Sequence, residues 1–254
     1  MKTALITGAT SGIGRATAYK FAEEGIKLIL CGRRKERLQE LQKVLGEKTD
    51  VHIESFDVRD KDKVMDILTN LPEDFSDIDI LINNAGNAHG LEPIHEADIE
   101  DFEAMLDINV KGLLYVSKAI MPGMVNKKSG HIINIGSTAG KEVYPNGNVY
   151  CASKFAVDAI SKAMRIDLNK YGIRVSEVNP GFVETEFSVV RFKGDVEKAK
   201  NVYAGFQALK PEDLADILYF IISRPPHVNI ADVLVLPTAQ ASNYLVNRKE
   251  IIEN

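Results

Sequence analysis

Within its first 22 residues the chain reads strand, glycine turn, helix, and few folds begin that way. Residues 2–6 are a short apolar run. Thr7-Gly8-Ala9-Thr10-Ser11-Gly12-Ile13-Gly14 follows at once, and residues 15–22 have helical spacing. Glycines let a backbone turn tightly and let a diphosphate approach the main chain. The helix N-terminus behind them offers free N–H groups and the positive end of a dipole. Gly8, Thr10, Ser11, Gly12, Ile13 and Gly14 are therefore candidates to hold the phosphates of a dinucleotide. The spacing is T-G-x-x-x-G-x-G, related to but distinct from G-x-G-x-x-G. An ordinary glycine-rich turn is the alternative, and the position directly after the first strand argues against it.

The pattern repeats along the chain. Strand-like runs at 3–7, 27–31, 51–56, 78–83, 130–135, 174–178 and 232–236 alternate with helical stretches, among them 34–45, 61–71, 99–126, 153–171 and 211–223. Several strands are almost unbroken Val, Ile and Leu, as in a parallel sheet buried on both faces. This predicts an α/β, single-domain Rossmann-type fold over 1–254: a doubly wound parallel sheet of about seven strands with helices on both faces. The 254 residues fit one such domain. The long insertion at 184–209 is the place for a substrate lid.

Composition narrows the function by exclusion. A net charge of -5 and a pI near 5.6 give no sign of a nucleic-acid surface. No apolar run approaches the roughly 20 residues of a membrane span, and the early first strand leaves the expectation of no signal peptide. Cys31 and Cys151 fit a reducing, cytoplasmic setting. The five histidines and two cysteines show no metal-ligand spacing, so no metal is expected at His89, His95 or elsewhere.

Tyr150 and Lys154 are four apart and share a helix face. A nearby ammonium lowers the pKa of a phenol, ordinarily about 10, toward the range useful in proton transfer. Alone, such a pair is usually an exposed tyrosine and a solvated lysine. Here Ser137 lies upstream behind a strand-like run, and the glycine turn opens the chain.

These motifs, in this order and over essentially the whole chain, resemble the short-chain dehydrogenase/reductase family. Asp57-Val58 matches its adenine-contacting pair, and Asn83-Asn84-Ala85-Gly86 its turn after the fourth strand. Pro180-Gly181-Phe182-Val183-Glu184-Thr185 matches its nicotinamide-gripping turn. The resemblance implies a catalytic set of Asn109, Ser137, Tyr150 and Lys154. Tyr150 would be the general acid and base, Ser137 would position the carbonyl, Lys154 would bind the nicotinamide ribose, and Asn109 would hold a relaying water. By the same resemblance Asp57, Val58, Asn84, Ala85, Gly86, Pro180, Gly181, Val183 and Thr185 join the glycine turn, Tyr150 and Lys154 in holding cofactor. For Asn109, the residues alone equally allow a side chain that only satisfies backbone.

Cofactor choice is read at the end of the second strand. A carboxylate there would favour NAD, but Gly32 stands there, followed by Arg33 and Arg34. Guanidinium forks suit a 2′-phosphate, which predicts NADP(H), with Arg33 the main contact and Arg34 or Arg15 assisting. Four segments, 136–140, 190–195, 208–213 and 226–230, resemble the NADP-dependent 3-hydroxy acid dehydrogenase subgroup. That implies small substrates such as L-serine, L-allo-threonine or 3-hydroxypropionate and malonic semialdehyde. Their carboxylate calls for a cation, for which Arg191 is the first candidate and Lys193 the second, although both could equally face water. Val143, Tyr144 and Asn148 are further lining candidates. Another carbonyl reductase and a non-catalytic NADP-binding regulator are the alternatives. Family resemblance also implies a homotetramer paired through helices 99–126 and 153–171, the second bearing Phe155, Val157, Ile160 and Met164. The tail after Leu236 is a candidate to reach a neighbouring subunit.

Overall fold

The computed structural model describes residues 1–249. In chain order its elements are β1 (Thr3–Thr7), α1 (Gly12–Glu23), β2 (Lys27–Gly32), α2 (Lys35–Leu45), β3 (Val51–Ser55), α3 (Lys61–Thr69), the single turn α4 (Glu73–Ser76) and β4 (Ile80–Asn83). Then come α5 (Ile99–Leu106), a π-helical segment (Asp107–Gly112), α6 (Leu113–Lys127), β5 (Gly130–Ile135), α7 (Asn148–Leu168), β6 (Ile173–Pro180), α8 (Phe187–Arg191), α9 (Val196–Asn201), α10 (Pro211–Ile222) and β7 (Asp232–Val235).

All seven strands form one parallel sheet in the order β3-β2-β1-β4-β5-β6-β7. The order reverses between β1 and β4. Ligands of open α/β sheets bind in the crevice at such a switch point, beyond the carboxyl ends of the strands.

Period-two alternation decides which side chain serves which face. Ala4, Ile6, Leu28, Leu30, Ile80 and Ile82 point to the layer of α1, α2 and α10, with Phe21, Leu38 and Leu218. Leu5, Ile29, Leu81, Ile132 and Val175 point to the layer of α3, α6 and α7, with Val64, Ile120 and Val157. Both faces are buried, so strands with no polar alternation are what the fold requires.

Where helices begin is also chemical. The Asp60 carboxylate accepts from Lys63 N and caps α3, and Asp195 caps α9 in the same way. Asp213 accepts from Lys210 N at the start of α10. By contrast α1 has no side-chain cap bond and no acid in its first turn. Its leading N–H groups are left for an outside anion.

Two helices differ from the sequence expectation. The helix expected from residue 153 starts at Asn148, which puts Tyr150 in its first turn. The one expected over 99–126 is interrupted by the π segment, one residue wider per turn, which holds Asn109. In the tail, Gln240 is buried and its Oε1 accepts from Phe182 N at 3.0 Å. Asn243 likewise bonds Thr138 O and Glu142 O, so the described tail closes over its own loops.

Candidate active site

A cavity of about 590 Å³ runs along the carboxyl ends of the strands. Of the residues predicted to hold cofactor, all but Gly14 and the assisting Arg15 line it, and so do Ser137, Arg191 and Tyr144. Asn109, Lys193, Val143 and Asn148 do not.

The glycine turn is built by close approach. Gly8 adopts φ +66°, and a Cβ on Gly14 would come within 2.5 Å of the Gly8 carbonyl oxygen. No side chain fits there, so α1 can begin directly over β1. The turn is pinned from β4: Asn84 Nδ2 donates to Thr7 O at 2.9 Å and Gly8 O at 3.2 Å. Thr7 Oγ1 accepts from both Asn84 N and Ala85 N. Asn84 thus shapes the cradle as well as lining it. Thr185 packs over Gly12, its Cγ2 at 3.2 Å from where a Cβ would lie.

At the outer end Arg33 is exposed, 3.7 Å from the Asp57 carboxylate, which also takes three bonds from the Arg59 guanidinium. Burial would raise the Asp57 pKa, but Arg59 outweighs it and the carboxyl lies below its ordinary value. Arg34 is differently employed. Its Nε and Nη2 donate to Thr10 Oγ1, and its Nη1 pairs with Glu186 at 2.7 Å, where Arg37 joins it at 2.7 Å. Arg33 remains the more available guanidinium. Arg15 stacks on Tyr19, 5.6 Å from the ring centroid and outside the cavity.

At the inner end Ser137, Tyr150 and Lys154 are all buried. Burial pushes the Tyr150 pKa up to about 12, and Tyr144 adds to the rise; Arg191 and a hydrogen bond with Ser137 oppose it. Lys154 lies one turn beyond Tyr150 on the same face of α7. Its Nζ lies 6.0 Å from the Tyr150 ring centroid and donates to Ile135 O at 2.9 Å. Burial pulls its own pKa down to about 8. Arg191 is a second cation near the phenol, its Cζ 4.8 Å from the ring centroid, and it opposes the rise. Helical spacing places Lys154 on the right face, but its reach ends on a carbonyl of β5.

Arg191 closes the cavity from α8. One Nη donates to the Tyr144 hydroxyl at 2.8 Å, the guanidinium also stacks 5.3 Å from the Phe187 ring centroid, and its buried Nε has no partner among the described residues. Lys193 is held elsewhere, 2.9 Å from both Asp98 and Asp101. That pairing holds it at the surface of segment 184–209, away from the cavity and from any substrate there. Val143 is exposed, and Asn148 Nδ2 donates to Glu92 O; neither reaches the site.

Asn109 faces the loop after β4. Its Oδ1 accepts from Asn87 N at 2.9 Å, and its Nδ2 donates to Asn87 O and Ser153 Oγ. The same Oδ1 is 3.0 Å from where a Cβ on Gly86 would lie, and Lys154 Nζ is 3.7 Å from that point. Gly86 is thus the gap that lets both side chains approach.

Sequence reasoning missed Thr7, Asn179 and Gln240. Each is a buried or half-buried polar residue that bonds main chain far away in sequence, and such contacts leave no local spacing.

Comparison with known proteins agrees with this geometry. The family model for short chain dehydrogenases matches residues 2–195. The NADP-dependent 3-hydroxy acid dehydrogenase YdfG of Salmonella typhi is 48% identical over 238 residues, covering 93% of this chain and 95% of that one. An NADP-dependent 3-hydroxy acid dehydrogenase of Schizosaccharomyces pombe is 43% identical over 252 residues, covering 98% and 97%. Among solved structures, a closed form of serine dehydrogenase complexed with NADP+ superposes with a TM-score of 0.92 at 45% identity, covering 98% of this chain and 100% of that one. With its cradle, its buried serine, tyrosine and lysine, and matches of this extent, the chain belongs to the short-chain dehydrogenase family.

Proposed function

We propose that this protein is an NADP(H)-dependent oxidoreductase that moves a hydride between the nicotinamide and a small 3-hydroxy acid or its 3-oxo partner. The observation that carries the substrate class is Arg191. A guanidinium whose buried Nε–H has no partner among the described residues lies against the ring of the buried Tyr150. A carboxylate close to the reacting carbon would meet it while the reacting oxygen meets Tyr150 and Ser137. Leaving such a donor unmet in a buried site is costly, so an anionic substrate is favoured over a neutral one.

The cradle fits the cofactor. The glycine turn, the uncapped α1 and the exposed Arg33 suit a diphosphate and a 2′-phosphate. Gly32 ends β2 with its would-be Cβ 3.0 Å from Thr10 Cγ2, so no carboxylate stands there. When bound, NADP(H) carries the hydride; the chain handles the proton. The Tyr150 hydroxyl gives its proton to the substrate oxygen in reduction, and its phenolate takes that proton back in oxidation. The Ser137 hydroxyl holds that oxygen in place. Lys154 is to bind the nicotinamide ribose, and Asn109 to link it to solvent. Segment 184–209 acts as the lid, its ends joined by the bridge between Val183 and Leu209.

We further read the protein as a cytoplasmic homotetramer. Both cysteines are free and buried, as suits a reducing compartment, and no described helix is long and apolar enough to cross a membrane. Leu106, Leu114, Phe155 and Ile166 are exposed on the α5, α6 and α7 faces, and pairing there would cover them. Val157 and Met164 do not contribute, because both are buried in the core.

The function is tested by following NADPH oxidation with malonic semialdehyde beside a sulfonated aldehyde, a sugar-derived keto acid and a 3-oxoacyl thioester. Preference for the semialdehyde is expected. Preference for the thioester would reassign the substrate.

A further inference from the structure

Behind the loop that carries Ser137 lies a charged cluster that does not line the cavity. Lys141 follows the short turn Thr138–Gly140, and its ammonium sits among three carboxylates. It lies 2.5 Å from Asp158 Oδ1, 2.6 Å from Asp232 Oδ2 and 3.6 Å from Glu177 Oε2. Each carboxylate stands on a different element. Asp158 is on α7, four residues beyond Lys154 and eight beyond Tyr150. Glu177 is in β6, and Asp232 opens β7. Lys162 donates to the other Asp158 oxygen at 2.6 Å.

Asn179 closes the circuit. Its Oδ1 accepts from the backbone N–H of Ser137 at 3.0 Å, and its Nδ2 donates to Asp232 Oδ1 at 2.9 Å. Glu177 Oε1 is buried without a partner among the described residues, and a Cβ on Gly136 would come within 2.5 Å of it. The cluster therefore abuts the backbone on which Ser137 stands. An unbroken path runs from the Ser137 amide through Asn179, Asp232 and Lys141 to Asp158, on the helix that carries Tyr150.

We propose that Lys141 is a positioning residue, tying the Ser137 loop to the Tyr150 helix through Asp158, Asp232 and Asn179 so that the two hydroxyls stay in register on the substrate oxygen. This rests on the reading of Ser137 as the group that holds that oxygen. Three carboxylates with oxygens within 4.8 Å of one another also have the outline of a cation site. The cation among them is the chain's own. An apolar contact would hold the elements together as well, but it would not fix angles; a connected polar network does. Glu177 shows the strain of the arrangement: burial raises its pKa to about 7 against the pull of Lys141, and Asp158 and Asp232 raise it further.

The test is a double-mutant cycle on the full chain. Lys141→Met and Lys141→Arg are each made with Ser137 intact and in a Ser137→Ala background. Single-turnover rates and NADPH fluorescence titrations are measured. Misplacement of up to 1 Å costs on the order of 10- to 100-fold in rate, so a loss of that size is expected for Lys141→Met. NADPH affinity should stay within about 2-fold, and Lys141→Arg should restore most of the rate. In the Ser137→Ala background the effect of Lys141→Met should shrink to about 2-fold or less, because residues acting through one another are non-additive. Equal losses in both backgrounds, or no loss with Ser137 intact, would overturn the proposal. Should Lys141→Met fail to fold, Asp232→Asn keeps the Lys141–Asp158 pair, and the same cycle has the same two outcomes. The cycle is read on whichever carbonyl the wild-type chain reduces, so a wrong substrate assignment shows separately, in the wild-type rates.

Discussion

Tyr150 is a phenol that its surroundings keep protonated, with a pKa near 12. At neutral pH it is a proton donor, ready for reduction; oxidation needs it as a base. Oxidative turnover is therefore expected to rise with pH as the phenolate fraction grows, while reductive turnover stays flat until pH nears 12; a reductive rate that falls near neutral pH would contradict this. Tyr150→Phe should lower kcat by about 10³-fold, within the range for loss of a general acid–base group, with NADPH affinity nearly intact by titration. Arg191→Ala removes charge-assisted bonds worth about 1.5–3 kcal/mol, so the KM for a hydroxy acid should rise roughly 10- to 100-fold. An unchanged KM would remove Arg191 from the site. The serine, tyrosine and lysine were legible because the chemistry demands those types at a set spacing. Lys141 and Asn179 were not, since they act across contacts 17 to 91 residues apart that no local pattern records.

The strands were legible to within two residues at each end, most clearly in the central strands, where burial on both faces forces apolar runs. Helix starts were less so. The first turn of α7, Asn148-Val149-Tyr150-Cys151, has no apolar stripe to mark it. The π segment holds Asn109, which bonds Asn87, a contact that leaves no local spacing in the sequence. The lid follows another logic. Glu186 at its root bridges Arg34 and Arg37, and although burial would raise its pKa, the two arginines outweigh that and hold it below the ordinary value. These pairs are largely exposed and worth about 1 kcal/mol or less. Glu186→Gln should therefore speed amide exchange over 187–201 by up to about 5-fold, with little change in Tm. No change in exchange would mean that the clasp does not hold the lid.

Over the whole molecule, the two apolar layers supply the stability, and the charged cluster gives it a pH dependence. Glu177 binds its proton more tightly folded, near 7, than unfolded, near the ordinary 4.5. Its contribution is thus fully present below about 4.5 and is lost as pH rises through 7. Glu177→Gln should flatten the decline in Tm across that window; an unaltered decline would assign it to other groups. Scattering should give a mass near four times 28.1 kDa, and a mass near 28.1 kDa would contradict the tetramer. The central claim joins cofactor and substrate, and one absorbance assay at the nicotinamide band tests both. NADP+ and NAD+ are compared in parallel with L-serine, L-allo-threonine, 3-hydroxypropionate and 3-hydroxybutyrate. Turnover of these acids with NADP+, and far less with NAD+, is the predicted result. Silence on every acid while NADPH still binds, or equal rates with both cofactors, would contradict it.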